Sequence, residues 1–287
     1  MRRNAGSSAA AGIARKRKKN HTKLRLIIFG ILVLALLFTA VFAEHICPYD
    51  PNGQDLANAL QAPSLAHPFG TDRYGRDMFS RVIAGSQTSI FSALALVAII
   101  SVGGTVIGVS CGYFGGIPDT VVMRISDICL AFPGLVFAMA IAAVLNGGVR
   151  NAVLALAMVS WPKYSRIARS QTLAVRQAEY ISAARLAGDS PFQVIFRHIL
   201  PNILGPVLVT AMLDIGTMMM EIAGLSFLGL GAQPPTAEWG SMMSGGRSML
   251  QTYPWVVLTP GLAIFVSVAL FNLLGDTVRD SMDSGNA

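Results

Sequence analysis

Five stretches of the chain are long and apolar: 26–43, 82–118, 128–149, 205–231 and 248–275, of which only 205–231 holds charges, at Asp214 and Glu221. Each approaches or exceeds the roughly 20 residues a helix needs to cross a bilayer. A sixth run, 151–162, is short alone but extends through Lys163 and Tyr164, whose polar tips can reach an interface while their stems stay in the apolar layer. The pattern predicts an all-α integral membrane protein with six transmembrane helices.

Residues 177–201 break this pattern, because polar and apolar positions alternate there at helical spacing. Tyr180, Ala183, Ala184 and Ala187 fall at i, i+3, i+4, i+7, and Phe192, Ile195, Phe196 and Ile199 repeat the spacing. Gly188 suits a left-handed close of the first helix, and Asp189 or Ser190 suits the cap of the next. Pro191 then fits a first helical position, and Pro201 the end of the unit. Two short amphipathic helices result. Set between apolar spans, they lie at the membrane surface, pack on their own bundle, or dock on a soluble protein.

Composition supports the membrane assignment: 53% of residues are hydrophobic and 13% charged, about half the charge of soluble domains, and mean hydropathy is +0.56. Basic residues set the orientation. With a cytoplasmic N-terminus, the outer segments hold only Arg73, Arg76, Arg81, Arg150 and Arg247 of the 22 Lys and Arg. Both termini and the 177–201 loop, which lies between spans 4 and 5, are then cytoplasmic. The expected organisation is a basic disordered arm (1–23), a first span (24–43), an extracytoplasmic segment (44–81), a core of five spans (82–280) and a cytoplasmic tail (281–287). The net charge of +7 comes mostly from the arm, where attraction to anionic lipid explains it. No aromatic platform accompanies the cluster to suggest nucleic acid. Val41-Phe42-Ala43 resembles a signal-peptidase site, yet the apolar core before it exceeds a usual signal peptide and reads as an uncleaved anchor. Cys47, Cys111 and Cys129 stand apart, with neither a disulfide framework nor a zinc pattern.

Candidate chemistry is sparse. Asp72 with Arg76, Arg73 with Asp77 and Asp77 with Arg81 read as i, i+4 pairs on a surface helix, each contributing about 0.3–0.5 kcal/mol. Gly104, Gly108, Gly112 and Gly116 make a smooth stripe on the second span, against which another backbone can pack. Gly108-Val109-Ser110-Cys111-Gly112 is formally G-x-S-x-G, but His21, His45, His67 and His198 all lie outside the spans and supply no buried base. Pro133 should kink the third span. In the fifth, Asp214, Met218 and Glu221 share one face. Carboxylates at this depth line a translocation path or bond to a neighbouring helix. Met218 to Met220 read as packing filler rather than metal ligands.

Three motif regions resemble the peptide/nickel family of ABC importer permeases: HPFGTDRYGRDMFSRVIAG from His67, the run Ala183-Ala184-x3-Gly188-x9-His198-Ile199-Leu200-Pro201, and SFLGLGAQPPTAEWG from Ser226. The run from Ala183 to Pro201 resembles that family's EAA loop, with Ser182 where the motif has Glu. The likeness implies a coupling helix, with Ala183, Ala184, Arg185, Gly188 and Asp189 at the docking face for an ATPase. It further implies a second permease subunit, two cytoplasmic ATPases, an extracytoplasmic solute-binding protein and a bacterial inner-membrane location. ATP and Mg would sit on the partner subunits, with no cofactor or metal on this chain and no enzymatic activity of its own; no P-loop pattern occurs in it. Leu213 to Gly231 is more similar to the nickel branch, so nickel or a metal chelate is the expected cargo and a dipeptide or oligopeptide the alternative. An intramembrane enzyme lacks converging ligands, and a passive channel leaves the 177–201 hairpin unexplained.

Overall fold

In the computed structural model the backbone is described for residues 3–283 and side chains for 22–282. The expected arm lies largely outside the residues whose side chains are described, as do residues 283–287. Helix α1 (Arg3–Val41) contributes the apolar stretch Thr22–Val41 and is followed by the short α2 (Ala43–Ile46). Then come α3 (Met78–Phe114), α4 (Gly116–Ala131), α5 (Gly134–Val144) and α6 (Val149–Arg176). The hairpin and fifth apolar run form α7 (Glu179–Leu186), α8 (Pro191–Gln193) and α9 (Leu200–Phe227), and α10 (Trp239–Gly246) and α11 (Trp255–Asp283) complete the chain. Among the described residues every regular element is helical, apart from an isolated bridge between Thr71 and Asp77. Four helices are long and apolar enough to cross a membrane: Thr22–Val41, Met78–Phe114, Pro191–Phe227 and Trp255–Met282. The pair α4 and α5 passes as a fifth if it counts as one span.

The glycine stripe sets the central contact. A Cβ at Gly104 would stand 2.6 Å from the Trp161 carbonyl oxygen, one at Gly108 2.2 Å from that of Ser165, and one at Gly112 3.0 Å from that of Arg169. Each four-residue step on α3 matches a four-residue step on α6, so the two helices lie parallel with their backbones in contact. Gly116 does not take part, since α3 stops at Phe114 and Gly115 and Gly116 turn the chain with positive φ. Helices α9 and α11 pack antiparallel, with Gly216 against Asn272 and Gly275 against Leu213.

Pro133 does more than bend its span. It follows the last turn of α4 and opens α5, and the two pieces meet at 97° because a proline ring excludes the residue before it from helical geometry. Helix α6, by contrast, runs unbroken through Pro162. Arg169 on α6 holds Asp119 on α4 with two hydrogen bonds, at 2.6 and 2.7 Å, and Arg166 reaches Asp127. Ser110, of the G-x-S-x-G run, donates to the Val106 carbonyl within its own helix.

The contacts sort into two ends. At one, residues 49–77 fold over the start of α3, Trp255 Nε1 donates to the Thr71 carbonyl, and Trp239 Nε1 donates to that of Val82. At the other, Val109 and Tyr113 on α3 join Ala168, Ile181, Val194, Ile195, Ile199 and Ile203 in a separate apolar cluster.

Candidate functional site

The hairpin at the second end follows its sequence punctuation closely. Gly188 closes α7 at φ +97°, a conformation that disfavours any Cβ. Ser190 caps α8 through a reciprocal box with Gln193, and Pro191 opens the helix. Asp189 reaches His198 Nε2 at 3.1 Å, and Asn202 Nδ2 donates to the Tyr180 hydroxyl at 3.2 Å, so the loop is tied to the following helix at two points. Arg185 lays its guanidinium over the Tyr113 ring, 5.1 Å from the centroid.

The end expected at Pro201 is absent. Residues Val194–Ile199 form a π-helical turn in which the Leu200 N–H reaches the Ile195 carbonyl, and the helix continues through Pro201 to Phe227. A proline in an α-helix clashes with the carbonyl four residues back; widening the preceding turn relieves that clash. Ile195 and Ile199 are buried while Phe192 and Phe196 of the same expected stripe are 70% and 65% exposed. In α7 the buried residue is Ile181; Ala183, Arg185 and Gly188 are exposed, and Ala184 and Asp189 half-buried. Leu186 is 90% exposed, and with the exposed Ala183 and Gly188 it gives the hairpin an apolar, small-residue surface beside the charged Arg185 and Asp189.

Asp214 is 4% exposed and bonded to a neighbouring helix. Its Oδ1 accepts from Lys163 Nζ at 2.5 Å and its Oδ2 from the Tyr164 hydroxyl at 2.9 Å. Lys163 therefore does not reach only for the interface but ties α6 to α9. Met218 is buried in the main core, and Glu221 is half-buried two turns beyond Asp214. The three share a helix face, Asp214 and Met218 both buried and Glu221 half-buried.

The first end holds a polar lattice that the sequence pattern misplaced. Residues 71–77 form a bridged turn rather than a helix, and Asp77 caps α3 through the Ser80 N–H at 2.7 Å while its other oxygen meets His67 Nδ1 at 2.9 Å. The Asp72–Arg76 pair exists, at 2.6 Å, but is buried, and Arg81 pairs with Asp72 at 3.8 Å in place of Asp77. Glu238, 1% exposed, was not singled out by sequence. Its carboxylate accepts from the Gly240 and Ser241 N–H groups and from Ser89 on α3. Burial pushes its pKa above the usual carboxylate range, and these hydrogen bonds pull it back only in part. An acidic residue just ahead of the Gly- and Met-rich 239–250 segment was the available signal. Between this lattice and residues 226–256 lies a cavity of about 510 Å³.

Comparison with known proteins fits this architecture. The model of the binding-protein-dependent transport system inner membrane component matches residues 104–285, and that of the N-terminal TM domain of oligopeptide transport permease C matches 23–63. A probable D,D-dipeptide transport system permease protein of Escherichia coli K12 is 46% identical, covering 88% of this chain and 85% of its own. A dipeptide permease of Alkalihalophilus pseudofirmus is 41% identical, covering 92% and 88%, and a glutathione permease of Escherichia coli O6:K15:H31 is 43% identical, covering 94% and 88%. The nickel-branch likeness of Leu213–Gly231 finds no support in these relatives, whose names give dipeptides and glutathione over most of the chain's length. In fold, the inward-facing methionine ABC transporter MetNI aligns at TM-score 0.53 and 21% identity, over 71% of this chain and 97% of that one. The chain thus belongs to the binding-protein-dependent ABC transport permeases of the bacterial inner membrane, as a multi-pass transporter subunit and not an enzyme.

Proposed function

We propose that this chain is one of two permease subunits of an ATP-driven importer of small peptides, and that the 177–201 hairpin receives the ATPase. The observation that carries this is the outward face of Leu186, Phe192 and Phe196 on a hairpin braced to the bundle by Asp189–His198. Apolar side chains this exposed in a tied-down turn fit a protein partner, with Ala183, Ala184 and Gly188 allowing close approach and Arg185 at the rim. ATP and Mg would act on the partner ATPases. A second permease and a solute-binding protein complete the assembly.

Six crossings and a cytoplasmic hairpin fit the packing. The parallel course of α3 and α6, joined through α4 and α5, supports counting the bent pair as a crossing. With α6 as another, the termini share one side. Cargo follows the dipeptide and glutathione descriptions of the relatives rather than nickel. Along the path, the half-buried Glu221 meets cargo, while Asp214 ties α6 to α9 through Lys163 and Tyr164 and Met218 packs in the core.

The test combines L186E and F192E in the assembled transporter. ATPase co-purification is expected to be lost and peptide uptake to fall at least tenfold, with the thermal transition of the permease unchanged. Wild-type uptake in that variant would refute the docking role. Labelling of A184C by an impermeant maleimide from outside the cell would refute the orientation.

A further inference from the structure

We infer that the 510 Å³ cavity at the 71–81 end binds the carboxylate of the transported peptide, with Arg73 and Arg247 holding it; this rests on the peptide-importer reading. Four guanidinium groups line the cavity, those of Arg73, Arg76, Arg81 and Arg247, against the single carboxylate of Asp72. That carboxylate is already saturated. Its Oδ2 takes Arg76 at 2.6 and 2.7 Å with Arg81 at 3.8 Å, and its Oδ1 takes the backbone N–H groups of Tyr74 and Arg76. Arg81 spends another donor on the Pro51 carbonyl.

Arg73 and Arg247 are different. Both are exposed, and among the described residues no acidic side chain pairs with either. The Arg73 guanidinium carbon lies over the Tyr74 ring, 4.8 Å from its centroid, and among the described residues no hydrogen bond takes up its N–H groups. A planar guanidinium fork with its donors free matches a carboxylate in two-point contact. The surplus of positive charge in a concave site also concentrates anions from solution.

The rest of the wall suits a peptide rather than a bare anion. Phe227, Leu228, Met249 and Val256 supply apolar surface beside the cations, and the volume falls in the range of small-molecule sites. The products named for the relatives, dipeptides and glutathione, all end in a free carboxylate. An acidic side chain on a docked solute-binding protein presents the same group, so the experiment must separate the two sources.

The assembled permease–ATPase complex in nanodiscs, without binding protein, is titrated at low ionic strength with dialanine and with dialanine amide, binding being followed by saturation-transfer NMR. Wild type is expected to bind the free acid at least tenfold more tightly than the amide. In R73A/R247A that preference should fall to about one, and R73K/R247K should restore part of it, showing that the fold survives. Absence of the preference in wild type, or its persistence in R73A/R247A, overturns the inference. So does a double variant that keeps the preference but no longer recruits the binding protein, because the cations then serve docking. Preference for the free acid together with no ATP-driven peptide uptake by wild type would instead remove the importer reading and leave the carboxylate site standing.

Discussion

Lys163 and Asp214 show how much of a single residue's role depends on its partner. Asp214 was visible as a carboxylate out of place in an apolar run, but Lys163 lies 51 positions away and nothing in the local pattern links them. Removing one partner leaves the other charge uncompensated inside the bundle, whereas removing both leaves only packing to repair. Because the Lys163 side chain is half exposed, K163M is expected to cost about 2 kcal/mol. K163M/D214L should recover much of that loss in thermal unfolding in detergent. Glu238 adds a pH dependence. Its folded-state pKa lies above the ordinary value, so the folded chain holds the proton more tightly than the unfolded one. Its contribution to stability is full below the unfolded value and is lost as pH rises through the folded one. Subtracting the stability of E238Q from that of wild type at each pH should give a difference that declines with rising pH above about 4.3; a flat or rising difference would contradict the burial effect.

Elements were legible where one helix carries its own signal and obscure where a neighbour decides. The Gly104, Gly108 and Gly112 stripe announced a close helix contact, and α6 answers it at backbone distance. G108A should separate the pair, since its methyl would meet the Ser165 carbonyl oxygen at 2.2 Å, while G103A, with nothing within 4 Å, should be neutral. The yield of folded protein after detergent extraction reports both. The caps of the hairpin were readable because Gly188, Ser190 and Pro191 act through their own backbone geometry. Pro201 was not, because the π-helical turn that accommodates it has no sequence mark. Residues 71–77 misled for a related reason: helical spacing of charges says nothing about the bridge to Asp77 or the overlying 49–61 segment that prevents a helix.

At the scale of the molecule, the apolar runs announced an all-helical chain with several helices of membrane-crossing length, and only the packing gave the course of those helices relative to one another. The parallel course of α3 and α6 is a tertiary fact, set by which faces meet. The same holds for the broken α4–α5 pair, where Pro133 signalled a bend but not the 97° that the Arg169–Asp119 and Arg166–Asp127 pairs accompany. The cavity beside residues 71–81 was invisible in sequence, since its arginines come from positions 73 to 81 and 247.

The unbroken helix from Pro191 to Phe227 joins the protruding turn to the cavity wall at its far end. Its 37 residues span about 55 Å at 1.5 Å per residue, with one tip outside the bundle and the other bonded through the Phe227 carbonyl to Ser244. A rigid piece of this kind would act as a rocker arm, pressure at one tip swinging the other without relay through loops. Spin labels at positions 192 and 228 should keep one separation with and without nucleotide while both shift against α6. A change of more than a few ångströms between them would place a flexing joint at the π-helical turn or at Pro206.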